Sequence, residues 1–255
     1  MQALNKKIIL ITGASSGIGE ACAKQCAFQG ANLIITARRL DKLEKLANEL
    51  KTQYQISALP LQLDVRDKEA VKSMIHQLPS DWQAIDILIN NAGLALGNDT
   101  VEQGKLNDWD TMIDTNIKGL MYVTRYVLNG MIERHQGHIV NISSVAGSQV
   151  YPGGNIYCAT KHAVKAFSEA LRLDLLGKPI RVTDIAPGAV ETEFSRVRWN
   201  NQKKSDEFYK DFTSLIADDI ADTVVYCITR PKHVNISEML VMPTDQASVN
   251  FIHRQ

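Results

Sequence analysis

The sequence has no surplus of charge of either sign: Lys and Arg together number 28 and Asp and Glu 28, in 255 residues. A neutral balance leaves no electrostatic footprint for nucleic acid and no polybasic patch for an anionic membrane, so neither is expected as a partner. Long apolar runs are also missing. The first one, Ile8–Ile11, follows Lys6 and Lys7 and is too short for a signal-peptide core or a membrane span. Cysteine is scarce, and Cys22, Cys26, Cys158 and Cys227 form no CxxC pair. They read as reduced thiols of a cytoplasmic protein, not as a disulfide framework. Cys158 adjoins Tyr157, which makes an alkylating agent a candidate inactivator even if that thiol has no chemical role. The six histidines are scattered without an HExxH or a His/Cys cluster, so no metal is expected. No Pro/Gly/Ser-rich linker, internal repeat or low-complexity segment divides residues 1–255, which points to one domain.

What is present is alternation. Apolar strand patterns at Ile8–Thr12, Asn32–Thr36, Ile56–Leu63, Ile85–Asn90, His138–Ser143, Ile180–Ile185 and Ile236–Met242 are separated by helical ones. The helices are expected at Gly17–Gln29, Leu40–Leu50, Lys68–Leu78, Asp108–Arg134, Asn155–Leu176 and Asp218–Thr229. Such a chain requires right-handed crossovers. It predicts an α/β fold: one Rossmann-type, doubly wound, mainly parallel seven-stranded sheet with helices on both faces. Residues 192–212 interrupt the alternation, with a polar stretch from Ser195 to Asp211, and are the candidate for a mobile substrate flap.

The first strand runs into Thr12-Gly13-Ala14-Ser15-Ser16-Gly17-Ile18-Gly19, inside which a helix opens. Glycines at this place permit a tight turn, and the free N–H groups of a helix start suit a pyrophosphate. The spacing is GxxxGxG and not the general GxGxxG, so the loop alone is a moderate signal for Gly13, Ser15, Ser16, Gly17, Ile18 and Gly19 as a dinucleotide cradle. About 20 residues further on, where an acid would hold a free ribose 2′-hydroxyl, the chain has Ala37-Arg38-Arg39. Guanidinium groups pair with a 2′-phosphate. The cofactor expected is therefore NADP(H), with Arg38 the principal contact and Arg39 secondary.

Ser144 lies just past the fifth strand, and Tyr157 follows thirteen residues later at the start of a helix. Tyr157 and Lys161 are i and i+4, so both leave one helical face and reach one cleft. A YxxxK pair alone is weak. Joined to the glycine loop and the strand-end serine it is strong.

Together these motifs resemble the short-chain dehydrogenase/reductase family over essentially the whole chain. The resemblance extends to Asp64-Val65, Asn90-Asn91-Ala92-Gly93, Asn116, and Pro187-Gly188 with Val190 and Thr192, all in the family's order. It implies Tyr157 as the acid–base residue, Lys161 as its tuning cation, Ser144 holding the substrate oxygen, and Asn116 as fourth catalytic member. An Asn three residues before Gly119 is a poor helix-interior choice, so a local kink is expected there, its carbonyl serving a proton relay toward Lys161. The resemblance further implies Asp64 by the adenine, Asn91 and Ala92 bordering the adenosine ribose and Thr192 orienting the nicotinamide carboxamide, with Val65, Gly93, Pro187, Gly188, Val190, Tyr157 and Lys161 as further cofactor contacts. Its members usually assemble as homotetramers through their two long helices.

Asn91–Gly97, Asp110–Asn116, Thr192–Arg198 and the ending His253-Arg254-Gln255 are similar to a narrower bacterial group, NADP-dependent dehydrogenases of 3-hydroxy acids. That implies a small substrate of the L-allo-threonine, serine or 3-hydroxypropionate/malonic semialdehyde type. Its carboxylate would need Arg196 or Arg198, with Arg198 the better match, while Gln149 and Tyr151 would line the pocket. Two alternatives stay open: a general carbonyl or 3-oxoacyl-carrier reductase of the same family, and a non-catalytic NADPH-binding regulator.

Overall fold

A computed structural model describes residues 3–255. The first strand, β1 (Ile8–Thr12), is buried at every position because it runs through the middle of the sheet. Its side chains alternate: Ile9 and Ile11 join the core under one layer of helices, Ile8 and Leu10 the core under the other. Around it are α1 (Gly17–Phe28), β2 (Asn32–Ala37), α2 (Leu40–Tyr54), β3 (Ala58–Gln62), α3 (Lys68–His76) and β4 (Ile87–Asn90). Helix α2 buries Leu43, Leu46, Ala47 and Leu50 along one stripe and stops at Gln55, which takes the left-handed conformation at φ 56°. Helix α3 starts at Asp67, whose carboxylate accepts from the N–H groups of Glu69 and Ala70 at 3.0 and 2.9 Å.

The second half holds α4 (Leu106–Ile113), α5 (Leu120–Glu133), β5 (Gly137–Ile142), α6 (Asn155–Asp174), β6 (Ile180–Pro187), β7 (Val190–Glu191), α7 (Glu193–Trp199), α8 (Gln202–Tyr209), β8 (Leu215–Ile216), α9 (Ala217–Ile228) and β9 (Glu238–Val241). The main sheet is ordered β3-β2-β1-β4-β5-β6-β9, and all its neighbours are parallel. Helices α1, α2 and α9 cover one face; α3, α5 and α6 cover the other. This is the α/β Rossmann-type sheet that the alternation predicts. The strand order reverses direction between β1 and β4, so a crevice opens outside the carboxyl ends of those strands.

Two segments differ from expectation. The single helix expected over Asp108–Arg134 is α4 and α5 joined by a π-helical turn at Asp114–Gly119. The wider turn holds Asn116 in the interior at 2% exposure. Residues 192–212 are not an irregular polar stretch but largely α7 and α8. Thr192 Oγ1 accepts the Phe194 N–H at 3.2 Å, and Asn201 Oδ1 accepts that of Lys204 at 3.1 Å. Trp199, Phe208, Tyr209 and Phe212 form a small aromatic cluster, with ring centroids 4.9 to 6.3 Å apart along its contacts. Those four rings are interspersed with Lys, Asp and Asn in the chain, so no apolar run advertises the cluster.

Candidate active site

A cleft of about 740 Å³ opens at the carboxyl ends of the strands, within the range of small-molecule and cofactor sites. Its first wall is the glycine-rich loop. Gly13 has φ +68°, and a Cβ there would lie 2.9 Å from the Ala92 Cα. The loop is laced to the end of β4: Thr12 Oγ1 accepts the N–H groups of Asn91 and Ala92 at 3.1 and 3.0 Å, and Asn91 Nδ2 donates to the Thr12 and Gly13 carbonyls at 2.9 and 3.1 Å. Gly19 is buried behind the loop, with no room for a Cβ between the Gly13 carbonyl and Asn91, and does not itself line the cleft. Ser15, Ser16, Gly17 and Ile18 do line it. Ser16 occupies the N-cap of α1 without a capping side-chain bond, so the first N–H groups of that helix stay open to the cleft. These are features a pyrophosphate needs.

The two arginines after β2 are placed differently in the cleft. Arg39 is committed: it donates from Nε to Ser15 Oγ (3.1 Å), from Nη2 to Ser16 Oγ (2.8 Å) and from Nη1 to Glu193 (3.0 Å). Arg38 lines the cleft, is exposed, and makes no ion pair or hydrogen bond through its guanidinium among the described residues. Glu193, at the start of α7, also takes Lys42 at 3.2 Å and Arg196 at 3.1 Å. Burial alone would raise its carboxyl, but the bonds from Arg39 and Lys42 reverse that and hold it at about 2. Asp64 lines the cleft opposite, and its bond from Arg66, 2.6 Å at the shortest, holds it below the usual carboxylate range. Val65, Asn91, Ala92, Gly93, Pro187, Gly188, Val190 and Thr192 line the same cleft.

At the other end Ser144, Tyr157 and Lys161 converge. Tyr157 and Lys161 project from one face of α6, with Lys161 Nζ 5.9 Å from the Tyr157 ring centroid. Lys161 is 6% exposed and donates to the Ile142 carbonyl at 2.8 Å. Ser144 follows β5; its hydroxyl accepts the Ala146 N–H at 3.1 Å and donates to the Pro187 carbonyl at 3.4 Å. Burial pushes the Tyr157 phenol up, Tyr151 adds to this, and the nearby Ser144 hydroxyl opposes it. Burial pulls Lys161 down to about 8, with Asp184 opposing. Desolvation therefore drives both groups toward neutrality, and at Tyr157 it outweighs the help from neighbouring charges.

Asn116 stands behind this pair and not in the cleft wall. Its side chain accepts the Leu94 N–H at 2.9 Å and donates to the Leu94 carbonyl at 2.8 Å and to Thr160 Oγ1 at 3.0 Å. Thr160 in turn donates to the Tyr157 carbonyl at 2.8 Å. A Cβ on Gly93 would lie 3.3 Å from Asn116 Oδ1 and 3.6 Å from Lys161 Nζ, so the two residues meet around that glycine.

Arg198 and Tyr151 both line the cleft, and Arg198 lies over three rings: Tyr151 at 5.3 Å, Trp199 at 5.6 Å and Tyr157 at 5.9 Å. It also donates to the Gly97 carbonyl (3.1 Å) and to Asn98 Oδ1 (2.8 Å). Two expected pocket residues fall outside. Arg196 is exposed and drawn to Glu193, its i−3 neighbour, and Gln149 instead accepts the Val249 N–H at 2.8 Å, tethering the C-terminal segment. Sequence reasoning missed Phe194 and Trp199 on α7, Phe208 and Tyr209 on α8, and Gln246, Val249, Ile252 and Arg254 on the tail, all of which line the cleft. Nothing in the spacing marks the tail residues. Cys158 is 2% exposed with its thiol pushed up by burial, which argues against the ready alkylation its neighbourhood suggests. Among the described residues no group of three or more His, Cys, Asp or Glu is arranged to hold a metal ion, and no helix is long and apolar enough to cross a membrane.

The family model described as short chain dehydrogenase matches residues 7–203, which span the glycine loop, the Ser144–Tyr157–Lys161 group and Arg198. The chain belongs to the short-chain dehydrogenase family. Within that family it is 47% identical, over 97% of its length and 100% of the relative's, to the NADP-dependent 3-hydroxy acid dehydrogenase YdfG of Escherichia coli K12. It is 48% identical, over 94% of its length and 95% of the relative's, to sulfoacetaldehyde reductase 2 of Chromohalobacter salexigens. Among solved structures, the closed form of a serine dehydrogenase complexed with NADP+ superposes with a TM-score of 0.91 at 46% identity, covering 97% of this chain and 100% of that one. This short-chain dehydrogenase is accordingly an oxidoreductase acting on CH–OH groups.

Proposed function

We propose that the protein is an NADP(H)-dependent oxidoreductase whose substrate is a small 3-hydroxy acid of the L-allo-threonine, serine or 3-hydroxypropionate/malonic semialdehyde type. The observation that carries this reading is Arg198, a cation on the flap that lies over the Tyr157 ring beside Ser144. A cation there suits a substrate whose reacting hydroxyl is a few bonds from an anion. The open start of α1, the serine hydroxyls and the unpartnered Arg38 fit a pyrophosphate and a 2′-phosphate. Asp64 and Val65 are then assigned to the adenine, Asn91, Ala92 and Gly93 to the ribose, and Thr192 with Pro187, Gly188 and Val190 to the nicotinamide.

The dinucleotide, when bound, supplies hydride acceptance and donation. In this reading the chain's own residues manage the proton. During oxidation the Tyr157 phenol oxygen takes the proton of the substrate hydroxyl, and during reduction it returns one to the carbonyl. A phenol titrating near roughly 10 is almost wholly protonated at neutral pH, and burial disfavours the phenolate further here, so cationic help is required to form the base. Lys161 supplies one positive charge. Ser144 donates a hydrogen bond to the same substrate oxygen. Asn116 has its side chain used up between Leu94 and Thr160. What it can offer a proton path toward Lys161 is its main-chain carbonyl in the π turn.

Substituting Arg198→Ala tests the substrate assignment. The expected result is a rise in KM for serine of about ten- to a hundredfold, from the ~1.5–3 kcal/mol of a charged hydrogen-bonded contact, with a much smaller rise for an uncharged secondary alcohol. Equal effects on both would sink the assignment. A second reading is favoured by the 48% identical sulfoacetaldehyde reductase. A short sulfonate-bearing aldehyde asks for the same cation, and reduction of that compound in preference to malonic semialdehyde would select it. The chain is further proposed to assemble as a homotetramer. Met121 on α5 and Leu173 on α6, exposed at 41% and 76%, support burial of those helices against other copies.

A further inference from the structure

Behind Lys161 lies a charge that the chemistry above does not use. Asp184 in β6 is 1% exposed, and neither carboxylate oxygen has a hydrogen-bond partner among the described residues. Buried polar groups are nearly always satisfied, and a carboxylate is among the costliest to strip of water. Such a residue calls for a physical reason.

The register supplies its surroundings. Asp184 pairs with Asn141 of β5 on one side and with Glu238 of β9 on the other. Residues in register on neighbouring strands share a sheet face, and Asn141 donates from that face to Ser168 of α6 at 2.8 Å. Asp184 thus lies under α6, one register step from Ile142, whose carbonyl holds Lys161. Helix α6 brings Lys161, Lys165 and Arg172 to this face. Lys165 is already paired with Glu238 at 2.7 Å, and Arg172 donates to the Ser237 carbonyl at 3.1 Å. Just past β5, Ser143 donates its hydroxyl to the Ile185 carbonyl at 3.2 Å and is also near enough to Asp184 to oppose the effect of its burial. The π turn contributes the neutral Asn116, while its Asp114 and Lys118 pair with each other at 2.8 Å. On the cleft side Lys161 meets Tyr157, with Arg198 beyond the ring. Lys161 and Asp184 are therefore opposite buried charges, neither in a close ion pair among the described residues: Lys161 reaches from α6 to the end of β5, and Asp184 lies on the adjacent strand β6.

We propose that Asp184 is a positioning residue that acts through Lys161, a buried counter-charge that keeps the lysine protonated and so sets the alkaline limit of proton transfer at Tyr157. It rests on the reading of Tyr157 and Lys161 given above. The electrostatics agree in sign from both sides: burial lowers Lys161 and Asp184 opposes it, while burial raises Asp184, Glu238 adds to the rise, and the Ser143 hydroxyl and then Lys161 and Lys165 oppose it.

The test is Asp184→Asn, which keeps shape and removes charge. The alkaline limb of kcat/KM for alcohol oxidation is expected to move about one unit toward acid. Activity one unit above the wild-type limb then falls about tenfold, while activity two units below it stays within twofold. A uniform loss at all pH values with the limb unmoved would mean a structural role only and overturn the proposal. The ammonium of Lys161, followed by NMR of isotopically labelled lysine in the protein without substrate, must titrate lower by the same amount; an unchanged titration also overturns it. This readout is independent of turnover, so a failed kinetic mechanism and a failed coupling are distinguishable. If D184N does not fold, Lys161→Met probes the coupling from the other side: the Asp184 carboxyl, followed in labelled aspartate, must titrate higher than in the wild type, and no shift refutes the pairing.

Discussion

Replacing Tyr157 by Phe is expected to lower kcat by about 10²- to 10⁴-fold, the range for a positioned acid–base group, while NADP(H) still binds. The substitution removes one oxygen from a ring that packs 5.7 Å from Phe194 and lies under Arg198 and Lys161. Those contacts belong to the ring, so the fold and the packing of α7 on it are left as they were. The hydroxyl is what the proposed proton transfer cannot lose. Ser144 has no basic partner to take over: its oxygen is engaged with the Ala146 N–H and the Pro187 carbonyl. Lys161 is held at the Ile142 carbonyl, set back from the ring. Steady-state turnover together with a fluorescence titration of NADPH checks the prediction. Full activity in the variant would remove Tyr157 from the chemistry.

Arg38→Ala is expected to weaken NADP(H) by about ten- to a hundredfold, the ~1.5–3 kcal/mol of a charge-assisted contact, and to leave NAD(H) nearly unchanged. The contrast with its neighbour makes this specific. The Arg38 guanidinium has no hydrogen bond or ion pair to lose among the described residues and only a minor attraction to Asp64, so its removal costs the protein little without a ligand. Arg39 instead ties Ser15 and Ser16 to Glu193 on α7. Arg39→Ala should therefore loosen the loop and weaken both cofactors together. Binding constants for the two dinucleotides across the two variants decide it. An Arg38→Ala protein that loses NAD(H) and NADP(H) alike would place the 2′-phosphate elsewhere.

The sheet was legible in the sequence because buried parallel strands leave continuous apolar runs, as in Ile8–Thr12, and because each is followed by a helix of the right length. Tyr157 and Lys161 were legible for the same local reason, an i, i+4 relation on one helix. Asn116 was half legible. Its poor helix propensity signals a break, but only tertiary partners 22 and 44 residues away, Leu94 and Thr160, make that break a π turn with the side chain inward. Arg196 and Gln149 went astray because a charged or amide side chain goes to its nearest satisfying partner, here Glu193 and the Val249 N–H. The partner of Gln149 is 100 residues distant and carries no signal in the spacing. The tail wall from Gln246 to Arg254 has the same origin: it is held by long-range bonds, among them Gln246 to the Ala189 N–H at 2.8 Å and Arg254 to the Phe208 carbonyl at 3.1 Å. Asp184 hides for the opposite reason, since an acid inside an apolar strand pattern looks like an exposed position until the register shows both faces covered.

The most direct measurement is NADPH formation by the purified protein with NADP+ and a panel of L-serine, L-allo-threonine and 3-hydroxypropionate, beside an uncharged secondary alcohol, with NAD+ run in parallel and reduction of a 3-oxoacyl thioester as the reverse comparator. The predicted result is turnover of the 3-hydroxy acids with NADP+, at kcat/KM well above both the uncharged alcohol and the thioester, and little turnover with NAD+. Preference for the thioester or the uncharged alcohol, or equal use of NAD+, would contradict it.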